Sequence, residues 1–268
     1  MTGPNMISPK SLMRLIGTPK CPQLIDVCMP EDFAADPRVI PTSRRIPHAE
    51  IAQIAPSLQG APVVVICQKG KKLSQGAAAL LRSHGLQAEA LAGGVLDWRE
   101  AGQPLTPDAK RPLSGALWVT RHRPKVDRIA CPWLIRRFID PQARFLYVAP
   151  DAVLDVAEKF GAIPFDVSGA AFSHAEGACT FDALMRHFEL ETPALAAMAE
   201  VIRAADGAPG AAPPQAAGLL ALSVGLSRLH SDDLAQLDAG LTLYDALYLW
   251  ARDGTAETHA WDTHEART

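Results

Sequence analysis

The sequence predicts an α/β fold in two parts: a parallel sheet with helices on both faces, followed by a mixed α/β region and a mainly helical domain. Three observations lead to this prediction. Short apolar runs alternate with helical patterns over the first hundred residues or so. Three prolines and two glycines interrupt the periodic sequence at residues 102–115, which indicates a domain boundary there. From residue 180 onward the apolar spacing is typical of α-helices.

The first part, residues 1–107, alternates strands and helices in the order expected for a parallel sheet. Ser8 and Pro9 predict a helix start, because a capping hydroxyl precedes a first-turn proline. Gly85 stands where the long helix after the central strand needs its C-terminal cap. The predicted strands are QLIDV, VVVIC and AEALAG, and the predicted helices are SPKSLMRLIG, LSQGAAALLRSHG and LDWREAG.

The second part, residues 108–268, begins with strand-like ALWVTR and RFLYVAP, and VDRIACPWLIRRFID is expected to be helical between them. Asp151 and Gly161 are expected to cap the helix in DAVLDVAEKFG. Thr192 before a proline and the stretch 231–233, Ser-Asp-Asp, predict two further helix starts. The small-residue stretch 205–218 is expected to be a loop within this domain.

Composition places the chain among soluble globular proteins, with 48% hydrophobic residues, 21% charged residues and a formal net charge of -3. No apolar leader or run long enough to cross a bilayer is present, so we expect a cytoplasmic protein without a membrane or nucleic-acid partner. The oligomeric state is left open. The five cysteines are odd in number and scattered, which argues against a disulfide framework and points to single-thiol chemistry; they are Cys21, Cys28, Cys67, Cys131 and Cys179.

Cys67 closes the central apolar run and precedes a short basic loop and a helical pattern. A thiol in this position faces backbone N–H groups and the positive end of a helix dipole, which favours the thiolate. Lys69, Lys71 and Lys72 add positive charge that attracts an anionic substrate, and Gly70 permits the turn that closes the loop. The pattern predicts a reactive thiolate, although a free cysteine at a strand end is often only structural.

Three chemistries use such a loop, and the spacing separates them. A phosphate-binding P-loop fails because Val65 stands at its first glycine position and Lys72 at its hydroxyl position. A cysteine phosphatase of the C-x5-R type is disfavoured because Leu73 occupies the place of the phosphate-clamping arginine. The remaining chemistry is sulfur transfer, in which the thiolate takes up a sulfane sulfur as a persulfide and passes it to a thiophilic acceptor.

Residues 7–105 resemble a rhodanese, or sulfurtransferase, domain through LIDVCMPEDF, CQKGKKLS and LAGGVLDWREAGQPL. The resemblance implies that Cys67 carries the persulfide, with a small anionic sulfur donor such as thiosulfate, a thiol acceptor and no required cofactor. Cys28 stands where the family commonly has arginine and is either a resolving thiol or a passive neighbour. The implied substrate-binding residues are Gln68, Lys69, Gly70, Lys71, Lys72 and Asp26.

Two polar clusters mark the second part. VDRIACPWLIRRFID carries Asp127 and three arginines, among them Arg128 and Arg136, whose guanidinium forks match tetrahedral oxyanions. A solvated helix face with ion pairs would give the same pattern. SHAEGACTFD offers potential metal ligands at a spacing that matches no standard zinc motif; they are His174, Glu176, Cys179 and Asp182.

Residues 116–253 resemble the C-terminal domain of ChrB-type chromate-resistance proteins through KVDRIACPWLIRRFIDP, IPFDV, HAEGACTFD and YDALYLW. The resemblance implies a domain that binds chromate or a related oxyanion, or a divalent metal. The expected metal ligands are His174, Cys179, Asp182 and Asp127, and the expected oxyanion ligands are Arg128 and Arg136. Asp206 and Asp245 are second-rank candidates, because helix capping or ion pairing explains them equally well.

The sequence therefore predicts a rhodanese-type sulfurtransferase joined to a chromate-resistance domain. The alternative is a non-enzymatic chromate or metal sensor, or a regulatory scaffold, in which the thiol loop only binds anions.

Overall fold

The structure is a computed structural model that describes residues 3–58, 60–175, 177–207 and 212–257. Its first part alternates short strands and helices, as predicted. These elements are β1 (Met6–Ile7), α1 (Pro9–Met13), β2 (Gln23–Asp26), α2 (Pro30–Ala35), β3 (Arg38–Val39), β4 (Arg44–Arg45), α3 (Ile51–Ile54), β5 (Val63–Ile66), α4 (Lys72–Ser83), β6 (Ala88–Leu91), α5 (Gly94–Glu100) and β7 (Thr106–Pro107).

Five of these strands form a parallel sheet in the order β1-β6-β5-β2-β4, which confirms the predicted fold class. Asp26 pairs with Ile66, so β2 and β5 end at the same level. The chain leaves these neighbours in opposite directions, since β2 leads to β4 on one side and β5 leads through α4 to β6 on the other. Open parallel sheets place their ligands in the crevice at such a reversal.

The central strand β5 is buried on both sides, as its unbroken apolar sequence predicts. Val63 and Val65 pack in one cluster with the inner residues of α3 and α4. Val64 and Ile66 face the other way and pack in a second cluster with residues of α1 and α5. The predicted helix ends are confirmed at Ser8, whose hydroxyl accepts from the Ser11 N–H group, and at Gly85, which takes a φ of 82° after α4.

The second part begins with a smaller parallel sheet in the order β10-β8-β9 and continues into packed helices. Its elements are β8 (Leu117–Arg121), α6 (Asp127–Leu134), β9 (Arg144–Val148), α7 (Val153–Phe160), β10 (Ile163–Pro164), α8 (Thr180–Phe188), α9 (Pro193–Ala205), α10 (Gln215–Leu229) and α11 (Asp233–Leu249). The mixed α/β region and the helical region are confirmed. The loop predicted at 205–218 lies in part outside the described residues.

Helix α6 differs from the single long helix that its sequence predicts, since it passes into a π-helical turn at Ile135–Ile139. Pro132 lies inside α6 and has no N–H group for the Arg128 carbonyl, which accepts a hydrogen bond from the Tyr147 hydroxyl at 3.2 Å instead. The proline is thus tolerated because a side chain from β9 replaces the lost donor.

Three of the four cap predictions in the second part are confirmed. Gly161 ends α7 in the left-handed region, and Thr192 and Asp232 accept backbone N–H bonds at the starts of α9 and α11. The Asp151 prediction is wrong. Asp151 lies within a 3-10 turn, Pro150–Ala152, that precedes α7 and moves the helix start to Val153.

The two parts share one hydrophobic core, in which residues of α1 and α5 pack with residues of α6 and α11. The approach is tight at Gly17, because a Cβ atom there would lie 2.6 Å from the rings of both Phe138 and Tyr248. The Thr42 N–H group also donates to the Phe138 carbonyl at 3.1 Å. Among the described helices, none combines the length and hydropathy that a membrane span requires.

Candidate functional site

The predicted nucleophile, Cys67, follows β5 at the carboxyl edge of the first sheet, where the strand order reverses. Its side chain is buried in the cluster under α4, and the residue is 5% exposed. The Cys67 Sγ atom lies 3.1 Å from the hydroxyl of Ser74, which is fully buried one turn into α4. The thiol therefore has a hydroxyl partner that the sequence analysis did not identify.

A pair of glycines at the start of α5 closes the thiol loop from the other side. Gly93 and Gly94 take φ values of 67° and 64°, and the Val95 N–H group donates to the Cys67 carbonyl at 3.1 Å. A Cβ atom on Gly94 would collide with the Cys67 carbonyl oxygen and lie 2.5 Å from the Gly70 nitrogen. Only glycine fits here, so the glycine pair of the LAGGVLDW motif holds the loop in shape.

The remaining predicted loop residues surround the thiol unevenly. Lys69, Lys71 and Lys72 are exposed, while Gly70 is buried against the Leu91 carbonyl and takes a φ of 62°. The Gln68 side-chain amide faces the Asp32 carboxylate of α2. The loop therefore presents three flexible cations to solvent above a buried sulfur atom.

Asp26 ends β2 beside this loop and is 4% exposed. Its Oδ1 atom accepts from the Cys28 N–H group at 2.8 Å, and its Oδ2 atom lies 3.6 Å from the Arg45 Nε atom. Arg45 also stacks over Phe33, with the guanidinium carbon 3.4 Å from the ring centroid. Asp26 thus orders the end of β2. Position 28 is a cysteine here, and Arg45 brings a guanidinium group to the same strand end.

Burial has the largest effect on the Cys28 thiol and raises its pKa. The charge of the Asp26 carboxylate has the next largest effect and raises the pKa further. Cys28 is therefore a neutral neighbour in the resting protein, which favours the passive of its two predicted roles.

A second centre lies at the carboxyl edge of the smaller sheet. Asp127 begins α6, Asp166 follows β10, and Asp206 ends α9. His174 comes from the loop before α8, and its Nε2 atom lies 3.0 Å from Asp166 Oδ1, 3.1 Å from Asp206 Oδ2 and 3.4 Å from Asp127 Oδ2. We call these four residues the acidic centre. Its carboxylates from different elements converge on one imidazole nitrogen.

Asp127 is held by backbone N–H groups at the start of α8. Its Oδ2 atom accepts from Thr180 at 2.6 Å, and its Oδ1 atom accepts from Phe181 at 3.1 Å. The carboxylate is 1% exposed and lies at the positive end of the α8 dipole. These bonds fix the position of Asp127 within the acidic centre.

Asp166 connects the acidic centre to two cations. Its Oδ2 atom lies 3.0 Å from Arg121 Nη2 and 3.2 Å from Arg128 Nε, and its Oδ1 atom accepts from the Thr180 hydroxyl at 3.2 Å. Arg128 was predicted as an oxyanion ligand, and Arg121 joins it here. The acidic centre therefore has a positive edge.

Mutual repulsion and burial act on the titrating groups of the acidic centre. Burial, and then the charges of Asp127 and Asp166, raise the pKa of Asp206 to about 6. A hydrogen bond with Asp127 raises the pKa of His174 to about 9, although partial burial opposes the shift. A cation at this place, whether a proton on His174 or a metal ion, relieves the repulsion between the carboxylates.

The donor set suits a divalent metal ion. One ligand atom from each of Asp127, His174 and Asp206 lies within 4.8 Å of the others. Carboxylate oxygens with an imidazole nitrogen are ligands for ions such as Mn²⁺, Fe²⁺ or Zn²⁺. These three residues would hold the ion. Asp166 lies beside them and accepts a hydrogen bond from the Thr180 hydroxyl.

The backbone around the acidic centre is strained at two positions. Val126, which precedes Asp127, has a φ of 41°, and Asp166 has a φ of 53°. A β-branched residue in the left-handed region is unusual, and such strain concentrates at functional sites. Asp166 was not predicted, although it lies within IPFDV just after β10, as Asp26 lies within LIDV at the end of β2.

The structure does not bring every predicted ligand to the acidic centre. Cys179 is the N-terminal cap of α8, and burial raises the pKa of its thiol. Asp182 accepts from the Cys179 N–H group at 2.9 Å and lies 3.7 Å from Arg203 Nε, so it caps the helix and forms an ion pair. Both are absent from the group of converging ligand atoms found among the described residues. Glu176 lies outside the described residues.

Two other predicted residues serve in ion pairs elsewhere. Arg136 lies 3.4 Å from Asp238 and stacks on Phe145. Unlike Arg128, it therefore forms its ion pair outside the acidic centre. Asp245 accepts two hydrogen bonds of 2.8 Å from Arg137 and one of 2.8 Å from the Trp133 indole. Of the second-rank candidates, Asp206 therefore joins the acidic centre and Asp245 does not.

Fold and site define a protein in which a rhodanese-like thiol loop is joined to a second domain with a buried acidic centre. The rhodanese-like domain family matches residues 8–101, and the family described as ChrB, C-terminal domain, matches residues 118–251. The chain therefore belongs to the ChrB C-terminal domain family and carries a rhodanese-like domain before that region.

Known relatives cover parts of the chain. Protein ChrB of Cupriavidus metallidurans is 40% identical over 139 residues, which are 50% of this chain and 40% of that protein. A rhodanese-related protein from Thermoplasma volcanium is 26% identical, with a TM-score of 0.34, over 39% of this chain and 99% of its own. A thiosulfate sulfurtransferase from Pseudomonas aeruginosa is 24% identical, with a TM-score of 0.32, over 38% of this chain and 19% of its own.

Proposed function

We propose that the first domain is an active sulfurtransferase that carries sulfane sulfur on Cys67. The observation that supports this most directly is the setting of the thiol: Cys67 lies at the strand-order reversal, with its Sγ atom 3.1 Å from the Ser74 hydroxyl, under a loop that carries three exposed lysines. A purely structural cysteine needs neither the hydroxyl partner nor the basic loop.

The chemistry takes two balanced steps. The Cys67 thiolate attacks the outer sulfur of a donor such as thiosulfate, the S–S bond of the donor breaks, and sulfite leaves with the electron pair. The resulting persulfide then passes its outer sulfur to a thiophilic acceptor, a cellular thiol or the cyanide of an assay, and the Cys67 thiolate returns. Neither step needs a metal or a redox cofactor.

The residues around Cys67 have two roles: they bind the sulfur donor, and they stabilise negative charge on the sulfur. Lys69, Lys71 and Lys72 attract a dianionic donor through charge alone. An ammonium group acts as a point charge and does not form the planar two-fold hydrogen bond of an arginine. The Ser74 hydroxyl can donate to the thiolate and to the inner sulfur of the persulfide. The glycine pair at 93–94 keeps the loop closed on the sulfur.

The experiment is a thiosulfate–cyanide assay that follows thiocyanate formation by the full chain. We expect turnover by the wild type, none by Cys67→Ser, and undiminished turnover by Cys28→Ser. Wild-type protein that forms no more thiocyanate than Cys67→Ser would mean that the domain only binds anions, which is the non-enzymatic alternative.

For the second domain we propose a divalent metal ion at the acidic centre, with chromate or a related oxyanion bound beside it. The convergence of Asp127, Asp206 and His174 supports the metal, and the neighbouring Arg121 and Arg128 support the oxyanion. Family membership points to chromate as the oxyanion to test. A bound ion would supply positive charge at the carboxylates, while the two guanidinium groups neutralise Asp166 and draw an anion to the same edge.

Metal analysis of purified protein tests this second proposal. We expect about one equivalent of a divalent metal in the wild type and a clear loss in His174→Ala and Asp206→Asn. His187→Ala is the matched control, because His187 packs its ring against Phe172 and Phe188 instead. Equal metal content in all four proteins would overturn the proposed ligands.

A further inference from the structure

A cavity of about 180 Å³ lies between the two domains and belongs to neither site described above. Gln23, Leu24 and Ile25 of β2 line it from the first domain, and the residues after the π-helical turn line it from the second. It therefore opens near the start of β2, whereas Cys67 follows the far end of the neighbouring strand. Its volume is well above the ~15 Å³ that one ordered water requires.

The lining of the cavity is strongly basic. Four arginines contribute to it, and Asp140 is the single acidic residue among the described residues of the lining; the arginines are Arg44, Arg111, Arg136 and Arg137. The Asp140 carboxylate accepts backbone N–H bonds from Gly115 at 2.8 Å, Ala116 at 3.3 Å and Gln142 at 3.0 Å. These bonds hold the carboxylate in place, and four arginines face this one carboxylate in the lining.

Two of the arginines are already bound by protein acceptors. Arg137 forms a two-fold hydrogen bond with Asp245, and Arg136 is held by the Ala143 carbonyl and by Asp238. These contacts fix the two guanidinium groups in the cavity wall. Arg44 and the Nε atom of Arg111 are left as the groups able to bind a ligand.

Arg111 and Arg44 have capacity for an anion. The Arg111 side chain is 15% exposed. Its Nη1 atom donates to the Ser43 carbonyl at 2.7 Å and lies 3.8 Å from Asp108 Oδ1, while its buried Nε atom lacks an acceptor among the described residues. Burial lowers the pKa of Arg111, and nearby carboxylates, first Asp108, act in the opposite direction. Arg44 is exposed and lines the same cavity from β4. An anion between them would accept a hydrogen bond from the buried Arg111 Nε atom and pair with the charge of Arg44.

We propose that this interdomain cavity binds a small tetrahedral oxyanion of double negative charge, with Arg44 and Arg111 as its principal ligands. The guanidinium fork matches two oxygens of a tetrahedral anion, and the cavity has room for one such ion. Arg44 belongs to the first domain and Arg111 to the segment that joins the domains, so a bound anion bridges them. Anion concentration then stabilises the packing of one domain on the other.

The site is built for binding without covalent chemistry. Cys21 lines the cavity, but burial raises the pKa of its thiol to about 11, so the thiol stays protonated near neutral pH. A neutral thiol does not repel an anion and is a poor nucleophile. The proposal does not depend on sulfur transfer at Cys67 or on a metal at the acidic centre.

The test is calorimetric titration of the full chain with sodium sulfate at constant ionic strength. We expect a saturable site, distinct from any oxyanion site at Arg121 and Arg128. Arg44→Gln should bind sulfate at this site about 10-fold more weakly, the equivalent of one charge-assisted contact. Arg111→Gln should weaken binding at least as much. Arg44 is exposed, so its variant is expected to fold even if the Arg111 variant does not.

Two controls separate this cavity from other basic surfaces. Arg228→Gln, at an exposed position of α10, should leave sulfate affinity unchanged. The triple variant Lys69→Gln, Lys71→Gln, Lys72→Gln should also leave it unchanged. Absence of a saturable site, equal affinity in Arg44→Gln, loss of binding in the triple-lysine variant, or equally tight binding of planar nitrate would each overturn the proposal.

Discussion

The Sγ atom of Cys67 and the Oγ atom of Ser74 lie 3.1 Å apart beneath the thiol loop, and both side chains are buried. The serine hydroxyl also reaches the Lys71 carbonyl at 3.4 Å. Its proton can therefore point to the carbonyl when the sulfur is a thiol and to the sulfur when it is a thiolate or persulfide. This pair connects the start of α4 to the reacting atom.

Ser74→Ala should slow thiocyanate formation about 10-fold, because a hydrogen bond to a charged partner contributes about 1.5 kcal/mol or more. Alkylation of Cys67 by iodoacetamide at neutral pH should slow in parallel, since both reactions use the thiolate. Ser83→Ala, on the exposed end of the same helix, is the control and should keep the wild-type rates. Unchanged rates in Ser74→Ala would show that the hydroxyl is only a packing neighbour.

Gly94→Ala should abolish sulfur transfer and destabilise the protein by about 2 kcal/mol or more. The added Cβ atom meets the Cys67 carbonyl in a backbone conformation that favours glycine. Thermal unfolding and the cyanide assay measure the two effects.

The matched control is Gly76→Ala, on α4, where a Cβ atom has open space and the backbone is helical. Alanine is favoured over glycine inside a helix, so this variant should gain up to about 1 kcal/mol and remain active. Similar behaviour of the two variants would contradict the proposed role of the glycine pair.

Most of the fold follows from local sequence signals. The apolar run at 63–66, the caps at Ser8, Thr192 and Asp232, and the terminating Gly85 all act through nearby residues, so they can be identified without tertiary structure. Cys67 was predictable for the same reason, because its strand, loop and helix are contiguous.

The acidic centre could be predicted only in part because its members come from four separate segments. Asp127 and His174 were named from their motifs, but Asp166 became a candidate only when β10 was seen beside β8. Cys179 and Asp182 are close to His174 in sequence, and spacing alone cannot distinguish a ligand from a helix cap. Arg45 and Ser74 were missed because each depends on which side chain fills a buried space.

Asp127→Asn and Asp206→Asn should both reduce metal content, but only the first should strongly destabilise the fold. Asp127 accepts N–H bonds from Thr180 and Phe181, and an amide nitrogen facing either donor leaves a buried group unpaired, at about 2 kcal/mol. Asp206 is 22% exposed and faces His174, so its change in unfolding free energy should stay within about 1 kcal/mol.

Chemical denaturation and elemental analysis of the same preparations measure these two quantities. Asp238→Asn, at a surface ion pair with Arg136, is the control and should change neither. Equal destabilisation by Asp127→Asn and Asp206→Asn would contradict the anchoring role of Asp127.

In protein freed of metal by a chelator, His174 should be protonated at neutral pH, because the neighbouring Asp127 raises its pKa to about 9. The folded-state pKa lies above the ordinary value of 6.5, so the imidazolium stabilises the folded protein fully below about pH 6.5. That contribution is lost as the pH rises through about 9. The free energy of unfolding should therefore fall over this range in the metal-free wild type relative to His174→Gln.

Metal binding should release the same proton, because an imidazole nitrogen must be neutral to coordinate an ion. Metal affinity should rise with pH until about 9 and then level off, since His174 is already neutral above that pH. Titrations in buffers of different ionisation enthalpy count the released proton, and imidazole resonances of the metal-free protein give the midpoint. His187→Gln should leave both unchanged. A His174 midpoint near 6.5, with no proton released on metal binding, would show that the carboxylates of the acidic centre do not hold the imidazolium.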